Sequence, residues 1–296
     1  MMTVSASSNV AKASHVVTVP PRPRRRRSSQ RWLHWLLAPL ALIWLVPILM
    51  VLGLSFLPSS NPSTVLLGTW PQQPDLSNYS IIFKESPILQ DLINSLLITV
   101  PSVLLVVVLG SMAAFAFARL RVPLKALLFG MLVLALVLPM PSIIVATFKI
   151  LQALNLYNSL LGLVLVYTAL GLPFAIIIAR TAFVAVPFEI YEAAVIDGAT
   201  KWQVFWRIYF PLARPALSVI VIWQTMIAWN DFLLPLVAIS DNANKPLTLI
   251  PLAYRGTFLS QPGALFAVLV IISIPVIIIF MFMQRYLVSG LAGSIK

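Results

Sequence analysis

The chain has 296 residues, 60% of them hydrophobic and 9% charged, with a net charge of +12. A soluble domain carries about a quarter of its residues charged, so this chain has too little polar surface for a water-soluble globule, and its solvent is a bilayer. There is no cysteine, and the two histidines, His15 and His34, both lie near the N-terminus; this excludes a disulfide framework, a thiolate metal site and a histidine-centred metal or catalytic site in the apolar body.

The N-terminal stretch "PPRPRRRRSSQR" puts six arginines just before the first apolar run. No aromatic residues are interleaved for base stacking. The stretch reads as a basic, disordered cytoplasmic tail (residues 1–31) that obeys the positive-inside rule and touches anionic headgroups, not nucleic acid. A span needs about 20 apolar residues, and six segments qualify: 35–57, 92–118, 127–148, 159–180, 213–239 and 264–284. Each must be a helix, because backbone polar groups in lipid need internal partners. The fold class is therefore an all-α membrane protein, with residues 32–296 forming a six-helix transmembrane domain. The long basic leader, the long apolar core and the lack of a small-x-small site argue against cleavage of the first span as a signal peptide.

Orientation follows from the lysines and arginines. With the N-terminus inside, sixteen of the 20 fall in cytoplasmic segments, and only Lys84, Lys149, Lys245 and Arg255 lie outside. This bias places both termini in the cytoplasm. The two long outer connections, 58–87 and 240–263, are rich in proline, asparagine and serine, which predicts ordered turns rather than helix. The second carries Tyr254 and Arg255, and loops of this length are often functional. "PMP" at 139–141 marks a helix terminus near the outer end of the third span.

Between spans four and five lies a polar cytoplasmic loop, 181–212. Pro187 suits a first helical turn, and Glu189 and Glu192 sit near the positive end of the helix dipole. Gly198 stands where helices stop with positive φ. Thr200 and Gln203 form a T-x-x-Q capping box that starts a second helix. Trp202, Phe205, Trp206 and Tyr209 then make one apolar stripe, and Pro211 ends the helix. The pattern is helix, sharp turn, helix. It fits an interfacial hairpin packing on the bundle's own end, while the small, acidic Glu192-Ala193-Ala194 face fits docking into a groove on another protein.

"EAAVIDGATKWQVFWRIYFPLARP" resembles the EAA loop of ABC importer permeases. Glu192, Ala193, Ala194, Asp197, Gly198, Ala199, Ile208, Pro211 and Pro215 match its pattern, with Phe210 in place of the usual leucine. "NSLLITV", "AWNDFLLPL" and "MQRYLVSGLAGSIK" are similar to segments of carbohydrate-uptake permeases of the maltose type. The resemblance implies a type I ABC importer permease fold in a bacterial inner membrane. It also implies a homologous second permease subunit, two cytoplasmic ATPase subunits and an extracytoplasmic solute-binding protein that delivers a sugar or polyol. The EAA residues would couple to the ATPase, and the outer loop with Tyr254 and Arg255 would reach the binding protein. No G-x-x-x-x-G-K-[ST] loop occurs in the chain, so no cofactor is expected here. ATP and Mg²⁺ would be bound by the partner ATPases, and the chain would have no catalytic or metal-binding residues of its own.

Asp231 is the acidic residue closest to a span interior, with Asn230 beside it. Such a pair is costly in lipid and should face the bundle. It either lines the substrate pathway and hydrogen-bonds sugar hydroxyls, or makes an interhelical bond. In maltose-type systems one permease holds most sugar contacts, and this chain resembles the other. An ion-coupled secondary transporter is the alternative class, but it calls for ionisable residues near the midplane, and spans two, three, four and six offer none. A membrane-embedded enzyme lacks acid–base partners.

Overall fold

The computed structural model describes residues 31–57, 74–254 and 262–293, with side chains described outside 31–34, 36 and 283–293. The basic tail, Arg255 and Lys296 lie outside these residues. The chain divides into two compact units, Met1–Val46 and Pro47–Lys296. Helix α1 (Arg31–Leu54) begins in the first, where the side chains described from Trp35 to Val46 are exposed and apolar, as a lipid-facing surface requires.

The second unit is all helical among the described residues. Its elements are α2 (Ser77–Glu85), α3 (Ile88–Arg119), α4 (Lys125–Val137), α5 (Met140–Ala153), α6 (Leu160–Ala185), α7 (Phe188–Ile196), α8 (Lys201–Leu212), α9 (Arg214–Asn230), α10 (Leu233–Ala238), two 3₁₀ turns (Asn242–Asn244 and Leu247–Tyr254) and α11 (Pro262–Gly293). Among the described residues, four helices are long and apolar enough to cross a membrane unbroken. Two bent pairs, α4 with α5 and α8 with α9, raise the number to six if each pair is one span.

One expectation is met and two are corrected. The helix terminus read at residues 139–141 is present, and there α4 and α5 meet at 107°. Pro139 has no N–H to donate and disfavours helix at the residue before it, and Leu138 is accordingly extended, while Pro141 sits in the first turn of α5, where a missing N–H costs nothing. The fifth span stops at Asn230. Asp231 takes an extended conformation and its Oδ1 accepts the N–H of Leu233 at 3.0 Å, while the ring of Pro235 would clash with the Asp231 carbonyl in a continuous helix. The first outer connection, read as turns throughout, contains the helix α2.

Lipid gives helices no hydrophobic reason to associate, so close approach of small residues has to do it. Helices α3 and α6 meet along Gly110 and Ala114 on one side and Gly171, Ala175 and Ala179 on the other, at four-residue spacing. A β-carbon on Gly110 would come within 2.7 Å of the Ala175 methyl. Around this seam, polar groups join helices. Gln224 of α9 is fully buried and donates to the Tyr167 carbonyl at 3.1 Å, close enough to Gly171 that any side chain there would collide with it. Trp229 donates to the Ile272 carbonyl of α11 at 3.1 Å.

Candidate functional site

Two sites emerge, at opposite ends of α3, a 32-residue helix about 48 Å long. The first is the hairpin of α7 and α8. Pro187 precedes α7 in an extended conformation and Glu189 stands in its first turn. The helix ends in a Schellman motif. The Gly198 N–H bonds to the Val195 carbonyl at 3.1 Å, the Ala199 N–H bonds to the Ala194 carbonyl at 3.0 Å, and Gly198 has φ +78°. A β-carbon at Gly198 would meet nothing within 4 Å, so the demand for glycine is conformational, not steric. Two residues later the capping box is complete: the Thr200 hydroxyl accepts the Gln203 N–H, and the Gln203 side chain accepts the Thr200 N–H at 2.8 Å. The segment Asp197–Gln203 is thus a rigid reversal in which local chemistry satisfies the helix-end groups.

This reversal sorts the EAA residues between two faces. Ala194 is buried in a cluster with Phe115, Phe183, Val204, Phe205 and Tyr209. Glu192, Ala193 and Asp197 are exposed, and Ile196 beside them is 84% exposed. Ala199, Ile208 and Pro211 are half-buried at the base. An isoleucine this exposed, beside a carboxylate and a bare methyl, forms a small projecting surface of mixed character.

The second arm departs from the regular helix read in the sequence. Residues Phe205–Tyr209 form a π-helical turn, in which the Phe210 N–H reaches back to the Phe205 carbonyl. Pro211 does not end the helix, which runs on to Leu212 before bending 78° into α9. A proline in a regular helix clashes with the carbonyl four residues back, and the wider π turn moves that carbonyl, of Arg207, aside. The stripe splits as a result. Phe205 and Tyr209 are buried, their rings 5.5 and 5.1 Å from that of Phe115 on α3, whereas Trp202 is 57% exposed.

At the other end of α3 the polypeptide after α10 is stitched to the bundle. Asn94 donates to the carbonyls of Ala243 and Lys245 at 2.8 and 2.9 Å, and Ser95 accepts the Leu247 N–H at 2.8 Å. Asn158, held at φ +57°, accepts the N–H groups of Ser240 and Asp241. The hydroxyls of Tyr254 and Ser86 are 2.7 Å apart. These bonds wall a cleft of about 580 Å³ lined by Glu85, Asp91, Ser240, Asn242 and Lys245 among others. Asp91 is only 3% exposed, and its Oδ1 has no partner among the described residues.

The residues read as a pathway pair separate. Asp231 is half-buried and fully engaged: its Oδ2 accepts the Tyr167 hydroxyl at 2.9 Å, its Oδ1 accepts Leu233 N–H, and its carbonyl accepts the Thr248 hydroxyl at 3.0 Å. Asn230 is exposed on the outside of the single chain. The sequence reading passed over the polar face of α3, where Asp91, Asn94, Ser95, Thr99 and Ser102 are all buried. Its signal was there: polar residues at three- and four-residue spacing inside an apolar run.

A family model described as "Binding-protein-dependent transport system inner membrane component" matches residues 91–293. The chain is 36% identical over 258 residues to the trehalose transport system permease protein SugB of Mycobacterium tuberculosis, covering 85% of this chain and 92% of the relative. It is 33% identical over 269 residues to the diacetylchitobiose uptake system permease protein NgcG of Streptomyces coelicolor, covering 89% and 86%. Its fold matches a chain of a bacterial ABC transporter involved in the import of the acidic polysaccharide alginate, with a TM-score of 0.74 at 22% identity over 90% of this chain and 99% of that one.

Proposed function

Since this chain belongs to the family of binding-protein-dependent transport system inner membrane components, we propose that it is the permease subunit of an ATP-driven ABC importer for a sugar or related polyol. It is a multi-pass inner-membrane protein, and its family membership displaces the ion-coupled carrier. Relatives named for trehalose and diacetylchitobiose support the sugar class. In this reading the chain pairs with a homologous permease. The α7–α8 hairpin faces the cytoplasm and docks on one of two ATPase subunits that bind ATP and Mg²⁺. An extracytoplasmic binding protein delivers the solute to the opposite end, at the loop that carries Tyr254 and Arg255. Asp231 is engaged in holding the helix break, so of the pair Asn230 is the one open to the pathway.

The observation that carries the reading is the projecting surface of Glu192, Ala193 and Ile196 on a reversal fixed by Gly198. The carboxylates of Glu192 and Asp197 keep this surface out of lipid, and with the exposed isoleucine beside them it suits a groove with a cationic wall on a soluble partner. Truncating one member of a partly desolvated ion pair costs about 2–5 kcal/mol, mostly from the charge left unpaired. The test is Glu192→Ala in proteoliposomes with the ATPase that co-purifies with the tagged wild-type chain. Uptake and binding-protein-stimulated ATP hydrolysis are expected to collapse while the chain still inserts. Full stimulation and full uptake by the variant would refute the docking role.

A further inference from the structure

Arg119 ends α3 at the close of the run "AFAFAR" and belongs to no motif discussed above. Its Nη2 donates to the Phe183 carbonyl at 2.7 Å and to the Val186 carbonyl. These lie in the last turn of α6 and at its capping residue, where carbonyls have no helical partner and the dipole favours a cation. The same guanidinium stands 5.6 Å from the ring centre of Phe188, the first residue of α7, and 5.1 Å from that of Tyr209 in the π turn of α8. One planar group therefore touches α3, the end of α6 and both arms of the hairpin. The short link Val186–Pro187 between α6 and α7 would otherwise leave the hairpin's angle to the bundle to apolar contacts alone, which slide.

We propose that Arg119 is a positioning residue for coupling. Its paired carbonyl bonds and flat faces fasten the hairpin to α3 and α6, so that a displacement imposed on α7 is carried along α3 to the cleft at its far end. Lysine cannot replace it in full, because an ammonium can donate to the two carbonyls but has no flat face to lay against the Phe188 and Tyr209 rings. The inference rests on the docking role proposed above.

The chain has no cysteine, so Asn242→Cys in the far cleft gives a single maleimide-reactive site. The full complex, purified with its ATPase in nanodiscs, is labelled before and after trapping with ATP and vanadate. In the Arg119 background trapping is expected to change the labelling rate about fivefold or more, the lower bound of ordinary site-to-site coupling. With Arg119→Met the ATPase should still co-purify and still trap nucleotide, but the labelling rate should no longer respond; Arg119→Lys should respond in part. A response of wild-type size in Arg119→Met would overturn the proposal. So would a loss of ATPase binding that matches the loss of response, since Arg119 would then only hold the docking surface together. If the Arg119→Met chain itself does not insert in the membrane, Arg119→Lys and Tyr209→Leu, which remove the flat cation and one ring separately, are read by the same criteria. Failure of the docking role itself has a different signature: no ATPase accompanies the wild-type chain.

Discussion

The Tyr167 hydroxyl donates to Asp231 Oδ2 at 2.9 Å, joining the first third of α6 to the break between α9 and α10 across 64 residues of sequence. The bond gives the most conspicuous carboxylate of the fifth span a structural partner. A hydrogen bond to a charged group contributes about 1.5–3 kcal/mol. Tyr167→Phe should destabilise the purified chain by about that much. Asp231→Asn, which keeps an acceptor oxygen, should cost less. Thermal unfolding in nanodiscs checks both, and an unchanged midpoint for Tyr167→Phe would remove the bond from the energetics.

The turn of the hairpin makes a prediction about shape without crowding. Space around Gly198 is open, yet its φ of +78° penalises a β-carbon by about 1–2 kcal/mol. Gly198→Val should therefore impair uptake, while Gly198→Asn, the side chain that best tolerates this conformation, should retain most of it. Equal activity of the two variants would mean that the Schellman turn is not what orients Glu192.

At the far end, Asn94 holds the carbonyls of Ala243 and Lys245. Asn94→Leu removes both bonds at about 1 kcal/mol each and should loosen the loop. Stimulation of ATP hydrolysis by the binding protein is expected to fall, with the ATPase still bound. Replacing residues 251–260 by a glycine-serine linker should go further and abolish uptake in an assembled complex. Normal uptake by that variant would reduce the loop to a connector.

Much of the hairpin was legible because its determinants are local. A glycine after a helix, a T-x-x-Q box and a proline at a helix start each act within four residues, so their spacing alone predicts the reversal at Asp197–Thr200. The π turn was not legible. Trp202, Phe205, Trp206 and Tyr209 fit a regular stripe on paper, and only the conflict between Pro211 and the carbonyl of Arg207 inside a packed helix shows why the stripe splits.

The sequence by itself determined that this is a helical membrane chain with about six apolar passages and a polar reversal after the fourth, because hydropathy, charge asymmetry and caps are additive and short-range. Only the tertiary structure decided which polar groups serve which purpose. Asn94 finds its acceptors 149 and 151 residues away, Arg119 reaches carbonyls 64 and 67 residues on, and Asp231 accepts the hydroxyl of Tyr167 from 64 residues away. Buried polar groups must be paired in lipid, but the partner is whichever group the packing of α3 against α6 brings within 3 Å, and no local pattern encodes that distance.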